Sequence, residues 1–96
     1  MSEPMIVERG LPGADLIERG LRDLALRRES AAALLVSIGA PRLARLGLSV
    51  PTPYSHPEQR LYLLLHAEDP DTAHSRYNAL VRRLVSFERA ADAPAR

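Results

Sequence analysis

An all-α domain of four main helices and one short helix, in an orthogonal or bundle-like packing, is predicted by three features of this sequence. Apolar residues recur at helical spacing, most clearly in Ala73, Tyr77, Leu80, Leu84, Phe87 and Ala91, where the steps are 4, 3, 4, 3 and 4. The 46% hydrophobic content comes from Leu, Ala, Val and Ile, with Tyr54, Tyr62, Tyr77 and Phe87 as the only aromatics, and aliphatic cores of this kind suit helix packing better than sheets. Prolines and glycines mostly fall between the periodic stretches, where they punctuate helices.

Residues 1–12 contain Pro4, Gly10 and Pro12 without a sustained period, so they read as an irregular arm, with Met5, Ile6 and Val7 docked on the body. The helical domain is expected over 13–91. From Gly13 to Arg28, Ile17, Leu21, Leu24 and Ala25 share one face while Asp15, Glu18, Arg19 and Arg22 lie elsewhere, which predicts a first helix. Gly20 inside it is unfavourable by about 1 kcal/mol relative to alanine, and a small residue there suits a closely packed neighbour.

Ser30 is the expected N-cap of a second helix over Ala31–Ile38, apolar on nearly every side and therefore central. Gly39 ends it. Pro41 then fits the first turn of a short helix over Arg42–Leu46, closed by Gly47. Pro51, Pro53 and Pro57, mixed with Ser49, Thr52 and Ser55, mark a stiff loop.

Pro57 opens a helix over Pro57–Glu68 with Leu61, Leu64, Leu65 and Glu68 on one face, so Leu63 is turned outward to solvent or a partner. Asp69 before Pro70 reads as an N-cap followed by proline at the first helical position, which starts the last helix there and carries it to Ala91. Residues 92–96 are expected to fray.

The composition excludes several chemistries. Without cysteine there are no disulfides, thiolate nucleophiles or cysteine-based zinc sites. All thirteen basic residues are arginine, and a chain without lysine can form neither a Schiff base nor a P-loop. No G-x-S-x-G elbow or glycine-rich nucleotide loop is present. The reading is therefore a non-enzymatic protein without cofactor or metal. A net charge of +1 argues against bulk electrostatic attraction to nucleic acid. The N-terminus lacks a basic, then apolar, export signal, and the longest uncharged run, Ser30–Pro41, has 12 residues. That is short of the roughly 20 needed to cross a bilayer, so no membrane partner and a cytoplasmic location are expected.

Four groups of residues are candidates for function. The apolar seam of the last helix, with Tyr77, Leu80, Leu84 and Phe87, together with the outward Leu63, predicts an interaction surface and a homodimer. Arg76, Arg82, Arg83 and Arg89 fall between the seam positions, with seven residues between Arg76 and Arg83 and between Arg82 and Arg89. Such stripes can track phosphates, making nucleic-acid binding the alternative, although no aromatic stacking platform shares that face. His66, Glu68, Asp69, Asp71 and His74 gather ligand types suited to a divalent metal, but their spacing is that of helix caps rather than of a known metal site. Finally, Arg60 and His66 form an R-x5-H pair. This resembles the R-x4-6-H pair of the HEPN ribonucleases, small all-helical domains whose arginine and histidine act together on RNA phosphate. The resemblance covers only that pair and implies ribonuclease activity with Arg60 and His66 as the catalytic residues. Six residues along one helix set two side chains about 120° apart, which opposes it.

Overall fold

The computed structural model describes residues 10–93, and the all-α class holds: 69% of the described residues are helical and none of them forms a strand. Five helices follow in order: α1 (Ala14–Ala25), α2 (Ala31–Ile38), α3 (Ala40–Arg45), α4 (Pro57–Glu68) and α5 (Ala73–Asp92). The proposed docking of Met5, Ile6 and Val7 lies outside the described residues.

The central position of α2 follows from its composition. Ala32, Ala33, Leu34, Leu35, Val36 and Ser37 are all buried, and α1, α3, α4 and α5 each pack against this helix. Ser30 caps it as expected, its hydroxyl accepting a hydrogen bond from Ala33 N at 3.1 Å and donating to Asp23 Oδ2 at 2.7 Å. The buried Ser37 hydroxyl donates to Ala33 O at 2.9 Å and accepts from Tyr54 N at 3.1 Å, so the one hydroxyl in this apolar helix is satisfied and ties the proline-rich loop to the core.

The contact between α1 and α2 depends on Gly20. A Cβ built on it would overlap the Ala32 carbonyl oxygen and stand 2.7 Å from Val36 Cγ1. The helices therefore approach almost backbone to backbone at this point, as the small residue suggested. Around it Ile17, Leu21 and Leu24 are fully buried.

Three helices differ in extent from the sequence expectations. Helix α1 stops at Ala25 instead of Arg28 because Arg27 adopts a left-handed φ of 54°. Arg27 N then donates to Leu24 O and Arg28 N to Asp23 O, the paired bonds of a Schellman terminus built without glycine. Helix α3 is Ala40–Arg45 and not Arg42–Leu46, so Gly39 both ends α2 and precedes α3. Its Gly47 terminus is as expected: at φ 98°, Gly47 N reaches Ala44 O and Leu48 N reaches Leu43 O.

The third difference is the start of α5. Asp69 and Pro70 do not cap it; they form a turn in which Asp69 Oδ1 accepts from Asp71 N and Asp69 O accepts from Thr72 N. The helix begins three residues later, after Thr72. At its far end Asp92 is the last helical residue and lies 3.7 Å from Arg42, while residues 94–96 of the end expected to fray lie outside the described residues. The four-residue turn folds α5 back on α4. Arg76 bonds Glu68 beside the turn at 2.8 Å, and Tyr62 meets Tyr77 farther along the hairpin.

Candidate functional site

Helix α5 carries most of the candidate residues, and its twenty residues expose different chemistry on each side. The seam faces inward. Ala73, Leu84 and Phe87 are buried, the last two only 3% and 1% exposed, while Tyr77, Leu80 and Ala91 are partly buried against the same core. Gly13 packs against the Phe87 Cβ and Gly39 against the Leu84 side chain. This corrects the expected interface: Leu84 and Phe87 are enclosed by the chain's own helices and retain almost no surface for a partner.

A second apolar line runs along the flank of α5 nearer α4. Tyr77, Val81 and Val85 succeed one another at four-residue steps, each stacked over the preceding turn. The Tyr62 ring packs edge-on against Tyr77, with centroids 6.3 Å apart, and its other neighbour is the His66 imidazole at 5.9 Å. Burial raises the Tyr77 phenol above the usual tyrosine range, and the Glu58 carboxylate adds to the rise. Tyr62 and Val85 remain 37% exposed and Leu63 56%, so Leu63 is outward as its spacing predicted.

The opposite flank borders a trough against α1 and the start of α2. One part has a volume of about 400 Å³, with Leu16, Ala31, Ala32, Ala79 and Leu80 supplying apolar lining and Arg19, Arg76 and Arg83 supplying charge. A second part, about 280 Å³, continues past Pro12, Gly13, Arg82 and Ser86 and shares Ala79 and Arg83 with the first. Among the described residues no carboxylate lines either part.

The four α5 arginines do not form one surface. Arg76 is bonded to Glu68, and Arg83 is 3.6 Å from Asp15; both turn toward the trough. Arg82 and Arg89 are exposed and form no ion pair with a described residue. Seven residues bring two side chains to within about 20° of one another around a helix, so Arg76 aligns with Arg83 and Arg82 with Arg89, but the two pairs diverge by about 100°.

Arg60 belongs to a different constellation. Its guanidinium makes two bonds to the Glu29 carboxylate, at 2.6 and 3.1 Å, and lies 4.9 Å from the centre of the Tyr54 ring. The Arg27 guanidinium also stacks on Tyr54, at 4.7 Å, while bonding Thr52 O at 2.7 Å. Two cations thus clasp one ring and pin the loop between α3 and α4. The bond from Arg60 holds the Glu29 carboxyl below its ordinary range. His66, against Tyr62, shares no partner with Arg60, so the expected ribonuclease pair is not assembled.

The acidic group at the α4–α5 junction is likewise dispersed. Glu68 pairs with Arg76, Asp69 closes its own turn, and His74 meets Asn78. Among the described residues no three His, Asp or Glu side chains converge in a way that would hold a metal ion.

Two features had no clear signal in the sequence. The Tyr54 clasp joins Arg27, Glu29, Tyr54 and Arg60 across 33 residues, beyond the reach of any periodicity argument. Glu88 is buried with Oε2 against the Gly39 backbone; desolvation raises its carboxyl above the ordinary range, and Arg42 only partly opposes the shift. Comparison with protein-family models, characterised proteins and solved structures finds no match for the chain.

Proposed function

We propose that the protein is a non-enzymatic helical interaction module that forms a homodimer through the outer face of α4 and α5. The observation supporting this is where the exposed apolar surface lies. Of the four large hydrophobic side chains left exposed among the described residues, Tyr62, Leu63 and Val85 belong to these two helices, and only Leu26 lies elsewhere. Tyr77 and Val81 extend the same surface as partly buried neighbours. Patches that combine tyrosine with aliphatic side chains suit association, because each ring covers a large area with few rotatable bonds. Leu80, by contrast, faces the trough and belongs to a separate surface.

Sedimentation equilibrium of the full chain tests the reading, with Leu63→Glu and Val85→Glu measured beside it. A two-fold interface buries each substituted site twice, and losing about 1.5 kcal/mol at each leucine weakens dimerisation roughly a hundredfold. The expected result is a wild-type dimer and variant monomers of unchanged helical content, melting as the wild type does when diluted to monomer. A wild-type monomer at about 200 μM, a weaker association than specific dimers show, would end the proposal. So would a dimer indifferent to both substitutions.

A further inference from the structure

The trough lies on the other flank of α5, and its chemistry is distinct from that of the dimer surface. It is long and open: from Arg76 to Ser86 its α5 wall extends about 15 Å, the length of four or five residues of extended chain or about ten of helix. A compact small molecule needs an enclosing pocket for most of its surface, whereas an open trough suits a chain segment. The floor is aliphatic, chiefly Leu16, Ala79 and Leu80, and no aromatic side chain of the described residues lines it. Nucleobases without rings to stack on gain little from such a floor; leucine-sized side chains fit it.

Charge selects the sign of the occupant. Arg19, Arg76 and Arg83 line the main part and Arg82 the extension, with no carboxylate of the described residues in the lining. Arg76 and Arg83 are held only by exposed ion pairs to Glu68 and Asp15, whose side chains are 53% and 82% accessible. Exposed pairs are weak and exchange readily for an incoming carboxylate, and arginine offers such a group two parallel bonds.

We infer that this trough binds an acidic peptide segment of a partner protein, which lays one or two aliphatic side chains over Ala79 and Leu80 and sets its carboxylates on Arg19, Arg76 and Arg83. The site is independent of self-association, and the test separates the two.

The test is fluorescence anisotropy on the full chain with a labelled peptide of about ten residues, a length matched to the trough, carrying two leucines four positions apart and four glutamates. Binding is expected in the micromolar range, weakening at least tenfold when the glutamates become glutamine or the leucines become serine. Arg19→Glu, at an exposed position, should also weaken binding tenfold or more, and Arg83→Gln should do the same without reversing charge beside Asp15. Leu63→Glu should bind as the wild type does, even if it changes the oligomeric state. A labelled ten-nucleotide oligothymidine should bind less tightly than the peptide. The inference is overturned by the absence of peptide binding at about 500 μM, by indifference to Arg19→Glu and Arg83→Gln, or by preference for the oligonucleotide. It is also overturned if deleting residues 1–9 increases affinity tenfold, because Glu3, Met5, Ile6, Val7 and Glu8 have the same acidic and apolar character. That result would make the chain's own segment the occupant.

Discussion

Gly20→Ala separates helix propensity from packing, because the two act in opposite directions at this position. In an isolated helix the change is favourable by about 1 kcal/mol, since alanine loses less backbone freedom on folding. In the folded chain the added methyl overlaps the Ala32 carbonyl oxygen and crowds Val36 Cγ1 at 2.7 Å. The carbonyl belongs to helical backbone and cannot rotate away, so relief requires α1 and α2 to separate. A gap of 0.5–1 Å forfeits roughly a quarter to a half of each dispersion contact across it. Around this contact Ile17, Leu21 and Leu24 are fully buried, and overpacking such a site typically costs about 1–3 kcal/mol or more. Backbone overlap places this case at the upper end, leaving a net loss of about 2 kcal/mol after the propensity gain. For a domain of this size that lowers the melting temperature by roughly 10 °C. Thermal and urea unfolding followed by circular dichroism measure it directly. Adding Val36→Ala should not rescue the variant, because it removes the flexible obstacle and leaves the carbonyl. A melting temperature equal to or above wild type would refute the reasoning and mean that the helices adjust without loss.

Ser30→Ala removes the α2 cap together with the bond to Asp23, and a loss of about 1–2 kcal/mol is expected in urea unfolding, with a change under about 0.3 kcal/mol contradicting the role of the cap. The carboxyls of Glu29 and Glu88 predict opposite pH dependences. Glu29 is held below its ordinary range by Arg60, so its contribution is present above about pH 4.3 and lost as the pH falls through the lowered value; Arg60→Gln should remove that loss. Glu88 is raised by burial, so its contribution is complete below about pH 4.3 and lost as the pH rises through the raised value. Glu88→Gln should therefore raise the melting temperature at pH 7 relative to wild type and leave it nearly unchanged at pH 4; equal shifts at both pH values would refute this assignment.

Legibility in the sequence was greatest where a few adjacent residues decide the outcome. Ser30 before an alanine run, Pro57 at a helix start and Gly47 after a short helix act through their own φ or one hydrogen bond, and all three stand where local rules place them. Asp69-Pro70 carries an equally strong local signal, yet Asp69 bonds within its own turn and the helix starts at Ala73. The same side chain can cap a helix or close a turn, and the choice depends on how α5 returns along α4. Arg27 gave no signal at all. A non-glycine residue is held at positive φ where its guanidinium stacks on Tyr54 and bonds Thr52, groups more than twenty positions away.

The candidate site divides in the same way. Leu63 was identifiable as outward from its helical phase alone. The arginines were visible as a stripe, but only folding aligns Arg76 and Arg83 with Arg19 around the main part of a trough, sets Arg82 at its extension and leaves Arg89 outside the lining. Arg60 and His66 matched a pattern in spacing, whereas contacts with Glu29 and Tyr54 on one side and Tyr62 on the other keep them apart.

The sequence by itself determined the helical class, the approximate extent of each helix and the inward phase of the α5 seam, because periodicity and capping act within one or two turns. The tertiary structure decided what covers that seam, enclosing Leu84 and Phe87 with the chain's own helices and leaving Tyr62, Leu63 and Val85 outside. It also decided the sign of Gly20→Ala and the existence of the trough. Both depend on how closely α1, α2 and α5 approach one another, and that distance is set by packing among residues far apart in the chain.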